Sequence, residues 1–291
     1  MQCASSADLL PIRADERGQV LVLTVHQNCR NLSQDSGVLG FATSEVPKES
    51  PILAAASHSL AGLLAVAWPL WDYVDTRALR AASSSRARLR YYRQLVLLLW
   101  AGALAACIIS GPTNLFTVQG LGITTAWLDR HPWIWWALLF VASLFMLVQV
   151  AVPAWQGLIK YRERLTLHPP QLDWLRFFLP ISQVERRWFA ILAVSAGVCE
   201  EILCRGFLIR YLHTFPFNFG AATAILISVL IFGLHHVYQG VRGLLGSAVT
   251  GLVFTGMLLI TGNLWLPIIC HSLMDLSVLA YWRTASPVST R

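Results

Sequence analysis

The chain has 291 residues, of which 56% are hydrophobic and only 13% charged, where soluble domains carry about 25% charged residues. Its formal net charge is +7, set by 20 Arg and 2 Lys against 15 acidic residues, and the Arg cluster between apolar runs. This pattern excludes a soluble globular enzyme, and it assigns the basic residues to membrane topology rather than to nucleic-acid binding.

Residues 1–50 are mixed polar, with six acidic and four basic residues, and are expected to form a poorly ordered tail. They lack a basic start followed by a long apolar core, so no cleavable signal peptide is expected. Apolar runs long enough to cross a bilayer then recur. Residues 51–71 form the first expected span and end in Trp68-Pro69-Leu70-Trp71. A basic loop, 72–94, leads to a second span over 95–111. Residues 112–128 are uncharged but broken by Gly, Pro, Thr and Asn, and read as an interfacial loop or part of another helix. A third span runs from His131 to about Pro153, and a second basic loop covers 154–187. Trp188 opens the fourth span, Gly220–Tyr238 forms the fifth, Gly243–Ile260 the sixth and Leu264–Trp282 the seventh.

The expected fold is therefore all-α, a polytopic membrane bundle of about seven transmembrane helices. Residues 51–184 supply N-terminal helices and basic loops, 185–282 a helical core, and 283–291 a tail. Alternate loops collect fifteen Lys and Arg on one side and one, Arg130, on the other. The positive-inside rule places the first side, with the C-terminus, in the cytoplasm of a cell (inner) membrane protein. Gly246, Ser247, Thr250, Gly251, Thr255 and Gly256 recur at helix-facing intervals in the sixth span and are expected to be a packing face.

Between Trp188 and Trp282 the chain holds three acidic residues, Glu200, Glu201 and Asp275. A carboxylate at a helix centre costs about 2.5–3.5 kcal/mol on insertion scales, so each calls for a reason. Glu201 and Arg205 are four apart with the Glu first, the favourable order for a helical ion pair, and read as a structural brace. Glu200 points about 100° away on an α-helix, so that Arg does not consume it. A Glu without a cation in a low dielectric suits proton transfer. His271 and Asp275 share one face of the seventh span, and Phe232 and His236 lie one turn apart on the fifth. His235 cannot share the face of His236 and reads as incidental; His213 reads as an interface residue. Asn263 sits in the turn before the seventh span. The six Cys include no CxxC pair, and read as small buried hydrophobes.

Glu200-Glu201-x-x-x-Arg205, Phe232-x-x-x-His236 and His271-x-x-x-Asp275, in that order on successive apolar helices, resemble the CPBP family, the CAAX-processing and bacteriocin-processing (Abi) intramembrane endopeptidases. Glu185-Arg186-Arg187-Trp188 leading into Ala196–Glu201, Gly206-Phe207-Leu208 after Arg205, and Asn263–Pro267 before His271 add to the likeness. It covers about residues 185–282. The resemblance implies peptide-bond hydrolysis within the membrane, on a membrane-associated or C-terminal peptide or protein substrate. Glu200 would then be the general base, His236 would hold and activate the water, and His271 with Asp275 would serve the oxyanion. The family pattern ends in Asp or Asn, and a bare Asp275 carboxylate would repel an oxyanion unless it is protonated or acts through His271. No cofactor is preferred. A zinc-dependent form of the same protease, with Glu200, His236 and His271 as ligands, is the near alternative. A transporter or proton relay, or an inactive immunity or scaffold protein, are the readings from other classes.

Overall fold

The computed structural model describes residues 50–82, 84–125, 130–162, 175–214 and 216–282. The expected tail at 1–49, much of the second basic loop and the tail from 283 lie outside the described residues. The chain divides after Ser50, and the fold is that of the unit Pro51–Arg291. It is a helical membrane bundle, with no named strand among the described residues.

Among the described residues seven helical rods follow one another in the order of the seven expected spans. The first joins α1 (Pro51–Gly62) through a π-helical segment, Leu63–Ala67, to α2 (Trp68–Ala82). The second is α3 (Ser85–Ser110), and a short α4 (Pro112–Phe116) follows it. The third joins α5 (Pro132–Met146) through a π segment, Leu147–Ala151, to α6 (Val152–Arg162). The fourth joins α7 (Gln183–Glu200) through a π segment, Glu201–Leu208, to α8 (Ile209–His213). The last three are α9 (Ala221–Leu234), α10 (Gly240–Thr261) and α11 (Trp265–Tyr281). Four helices, Pro51–Ala82, Ser85–Ser110, Pro132–Ile159 and Val237–Thr261, are long and apolar enough to cross a membrane; Ala221–Leu234 and Trp265–Ala280 are apolar but shorter.

Two boundaries differ from the sequence reading. Residues 72–94 are not a loop: α2 continues to Ala82 and α3 already starts at Ser85, where Ser84 caps it by accepting from Ala87 N at 3.2 Å. A polar Ser84 at the N-cap and charged residues on exposed helix faces suffice to extend both helices beyond the apolar stretch. Residues 112–123 are not an interfacial loop either. Leu115, Val118, Leu121 and Ile123 are buried, and Val118 N donates to Gly262 O at 2.9 Å while Leu264 N donates to Phe116 O at 3.0 Å. The segment packs inward against the turn before α11.

The first two π segments share a cause, and all three share a remedy. Pro69 and Pro153 stand two residues past the first two, and a proline cannot donate to, and clashes with, the carbonyl four residues back. Those carbonyls belong to Ala65 and Gln149, inside the π segments. The widened turns free carbonyls for other helices: His235 Nε2 donates to Leu64 O at 2.7 Å and Ser277 Oγ to Gln149 O at 3.4 Å. The third segment holds no proline. There Ser228 Oγ donates to Cys204 O at 2.6 Å. Non-ideal helix in an apolar surround is tolerated where neighbours satisfy its backbone.

The fourth rod is central. α3 packs along α7, where Trp100 Nε1 donates to Ser195 Oγ at 3.0 Å and Gly102 faces Leu203. α11 crosses its other side at Gly197, where a Cβ would come within 2.6 Å of Ser272 N. Arg186 ties the lower end of α11 by donating to Leu279 O at 2.6 Å and Trp282 O at 2.7 Å. The start of α7 carries a capping box between Ser182 and Glu185, and the Glu185 carboxylate also takes a bidentate pair of bonds from Arg88 at 3.1 and 3.2 Å. Of the small residues expected to pack in α10, Gly251 makes a close approach, Gly256 only ordinary contact, and Gly246 has nothing within 4 Å.

Candidate active site

The site forms where α7 gives way to its π segment, opposite the middle of α11 and the end of α9. Glu201 is fully buried and lies at the centre of a polar cluster. Its Oε1 accepts from Arg205 Nη1 at 3.0 Å and from His271 Nδ1 at 2.8 Å. The Arg205 guanidinium lies 4.0 Å above the Phe232 ring and 5.8 Å from that of Phe254, a cation–π seat that lets it be buried to 1%. Gly251 makes room: a Cβ there would sit 2.8 Å from Arg205 Nη2.

His271 is the pivot. With Nδ1–H given to Glu201, its Nε2 faces two carboxylates, Glu200 Oε2 at 3.9 Å and Asp275 Oδ2 at 3.7 Å. The Phe254 ring lies 5.1 Å from the imidazole on one side, and the Phe232 ring meets it edge-on at 6.0 Å. Exposure rises across the group. The side chains of Glu201 and His271 are at 0% and 3%, whereas Glu200 is at 18% and Asp275 at 32%. The open face of the cluster therefore presents Glu200, Asp275 and the His271 Nε2 between them. One oxygen of each Glu, the Oε2 atoms, is buried without a hydrogen-bond partner.

His236 stands to the side. It follows the end of α9, its Nδ1 donates to Phe232 O at 2.9 Å, and its ring packs 5.0 Å from the Phe232 ring and stacks on Tyr238 at 6.2 Å. The Phe232 ring contacts both imidazoles. No hydrogen bond or ion pair joins His236 to Glu200, His271 or Asp275 among the described residues. Bonding Nδ1 to a carbonyl fixes the hydrogen there, so Nε2 is an acceptor in the neutral ring.

The sequence analysis missed several participants. His235, taken as incidental, is buried, stacks on Trp68 at 6.0 Å and lines a small cavity with Glu200, Leu203 and Cys204. Its burial could not be read from its neighbour, because α9 ends at Leu234, before both histidines. Glu201 holds His271 as well as Arg205. Phe254, on α10, belongs to no motif. His213 bonds backbone, with Nδ1 donating to Phe219 O at 2.7 Å. Asn263 caps α11 by accepting from Trp265 N at 3.0 Å, so it lies outside the site.

Glu200, His236 and His271, the alternative zinc ligands, are not gathered into one set among the described residues. No three His, Cys, Asp or Glu side chains among the described residues stand together closely enough to hold one metal ion. Within that set, His271 Nε2 stands 3.9 Å from Glu200 Oε2, and the one bond described for the His236 ring runs from Nδ1 to Phe232 O.

Residues 183–277 match the Rce1-like family, described as type II CAAX prenyl endopeptidase Rce1-like. No curated protein and no solved structure matches the chain. The matched span opens one residue past the α7 cap and closes just beyond Asp275, so it contains the whole Glu200–Glu201–Arg205–His236–His271–Asp275 group. Residues 183–277 are thus similar to the Rce1-like CAAX prenyl endopeptidases, which is consistent with the CPBP family of CAAX proteases.

Proposed function

We propose that the protein is an intramembrane endopeptidase that hydrolyses a peptide bond by water activated at Glu200, without a metal. The observation that carries this is the placement of His271 Nε2 between Glu200 and Asp275 while Nδ1 is held by Glu201. Glu200 is the carboxylate that the Arg205 brace leaves free, and it stands at the open face. It takes a proton from water as the water oxygen attacks the peptide carbonyl carbon. His271, carrying hydrogen on both nitrogens, donates from Nε2 to the oxyanion that forms. Glu200 then returns the proton to the leaving nitrogen as the C–N bond breaks. Asp275 acts through His271: its negative charge favours the imidazolium, which removes the repulsion that a bare carboxylate at the oxyanion would cause. His236 Nε2 accepts from the water and helps to aim it. Glu201 and Arg205 fix the imidazole rather than touch substrate.

The substrate class is a membrane-associated peptide cut near its C-terminus, reached from the Asp275 side. The test uses the purified full chain in bilayers with a panel of C-terminal peptides, prenylated and not, beside Glu200→Gln. Cleavage by the wild type alone supports the reading. Equal cleavage by E200Q overturns the base assignment. Proton or solute flux without cleavage of any peptide assigns the same groups to a relay.

A further inference from the structure

We propose that one face of α3 is a binding site for an anionic phospholipid, with a phosphatidylglycerol-type headgroup on Arg86, Arg90 and Arg93 and an acyl chain along the apolar half of the same face. At about 100° per residue, positions 86, 90, 93, 97, 100, 104 and 108 fall on a stripe about 80° wide. The three arginines are exposed. So are Leu97 at 71%, Leu104 at 62% and Ile108 at 71%. The stripe thus changes once, from cationic to apolar, along its length. Leu97 to Ile108 spans about 17 Å at 1.5 Å per residue, close to one leaflet of a hydrocarbon core about 30 Å thick. The arginines then stand at headgroup level above a single leaflet.

Charge complementarity selects the occupant. Helix α3 contains no acidic residue. The one arginine of this stretch with a carboxylate partner, Arg88, points to the opposite side and is held by Glu185 at 3.1 Å. Among the described residues Arg86, Arg90 and Arg93 form no salt bridge, and they line a groove of about 510 Å³ with Ser85, Leu89 and Leu97. The groove is also braced. Arg93 lies 4.8 Å over the Trp188 ring of α7, and Trp100 is fixed by its bond to Ser195 of the same helix. A phosphate diester without a compensating headgroup cation satisfies several guanidinium donors at once, while a zwitterionic headgroup brings its own cation to the same place. The lipid would lie along α3 and touch Trp188 on α7, twelve residues before Glu200.

The experiment needs no protease substrate, so its outcome is independent of the proposed function. The purified full chain in neutral detergent is titrated with phosphatidylglycerol, with phosphatidylcholine of the same chains, and with glycerophosphoglycerol, the headgroup without chains. Bound lipid is counted by native mass spectrometry, and thermal unfolding is followed in parallel. Phosphatidylglycerol is expected to be retained and to raise Tm, with the other two ineffective. Arg90→Gln/Arg93→Gln should lose at least tenfold in apparent affinity while keeping the wild-type Tm in phosphatidylcholine. A charge-matched control away from the stripe, Arg77→Gln/Arg242→Gln, should keep the wild-type affinity. Equal loss in both doubles assigns the effect to net charge and overturns the site. Retention of phosphatidylcholine, or full replacement by the chainless headgroup, overturns the proposed occupant. Should R90Q/R93Q fail to fold, Leu97→Asn/Leu104→Asn tests the acyl half by the same readouts, and undiminished lipid binding there overturns it.

Discussion

Substituting Gly197 by Ala puts a methyl group into the closest crossing of the bundle. The new Cβ would overlap Ser272 Oγ and lie 2.6 Å from Ser272 N and 2.8 Å from its Cα. Two of those atoms are backbone, so rotating a side chain cannot relieve the clash. Restoring ordinary contact at 3.4 Å requires α11 to move off α7 by about 0.8 Å. Overpacking of this kind costs about 1–3 kcal/mol, against which the better helix propensity of Ala returns roughly 1 kcal/mol. The net loss of stability is thus modest. The loss of activity is expected to be larger, because Ser272 neighbours His271 and α11 also carries Asp275. A displacement near 1 Å at reacting groups can cost about a hundredfold in rate. The assay pairs thermal unfolding with peptide cleavage in the same bilayer preparation. Ser272→Ala added to the variant removes only the hydroxyl and leaves the backbone clash, so G197A/S272A should stay impaired. Gly246→Ala, with nothing within 4 Å, should cleave like the wild type. Full activity in G197A, or full rescue by S272A, would show that α7 and α11 do not set the site geometry in this way.

Glu201→Gln should cost both stability and cleavage, because one carboxylate oxygen serves Arg205 at 3.0 Å and His271 at 2.8 Å; a loss of about 3–5 kcal/mol is expected for breaking a buried ionic network, read by chemical unfolding. Asp275→Asn and Asp275→Ala both remove the charge that favours the His271 imidazolium and should both slow cleavage; wild-type rates in both would remove Asp275 from the mechanism. Near the start of α7, before the spanning stretch, burial disfavours the Glu185 charge, but Arg88, Ser85 and the amides of Ile181 and Ser182 outweigh it and hold the carboxyl below its usual 4.5. Its stabilisation is present above about pH 4.5 and is lost as pH falls through the lowered value, so Glu185→Gln should be less stable at neutral pH and should flatten the acid limb of a Tm-against-pH curve. Cleavage should survive a chelator; loss that zinc restores would reinstate a metal.

The amount of this structure that could be read from the sequence depended on which physical signal each part leaves. Apolar length marked the order of the helices, because a bilayer-spanning run is long and uninterrupted. Helix ends were poorly marked. The stretch 72–94 is helical because Ser84 and exposed arginines continue two rods into water, and hydropathy falls at the same place where helix does not. The segment 112–123 is buried by pairing with Gly262 and Leu264, some 140 residues away, which no local pattern encodes. In the site, the four-residue spacings of Glu201–Arg205 and His271–Asp275 were legible because both partners lie on one helix. The bond from His271 to Glu201 crosses seventy residues and was not. His236 shows the opposite failure: its motif is plain, but α9 ends before it, and its Nδ1 is bonded to the Phe232 carbonyl rather than to a site residue.

The fourth rod explains why the site is easy to see in one signal and invisible in another. Residues 183–213 form one helical rod of spanning length, yet they are absent from the four helices that satisfy an apolar criterion. Glu200, Glu201 and Arg205 lower their hydropathy, together with Glu185, Arg186 and Arg187 at the entry. Glu200, Glu201 and Arg205 each meet a group from another helix: Glu201 bonds His271, Arg205 lies over the rings of Phe232 and Phe254, and Glu200 faces His271 at 3.9 Å. The winding also changes here, to a π segment whose Cys204 carbonyl is taken by Ser228. A helix this polar is stable in an apolar surround only as the innermost member of the bundle, with α3 on one side and α11 on the other. Its depth is therefore a consequence of its charges, and Glu200, the carboxylate of the Glu200–Glu201 pair that Arg205 does not bond, is held at the more exposed side of the cluster.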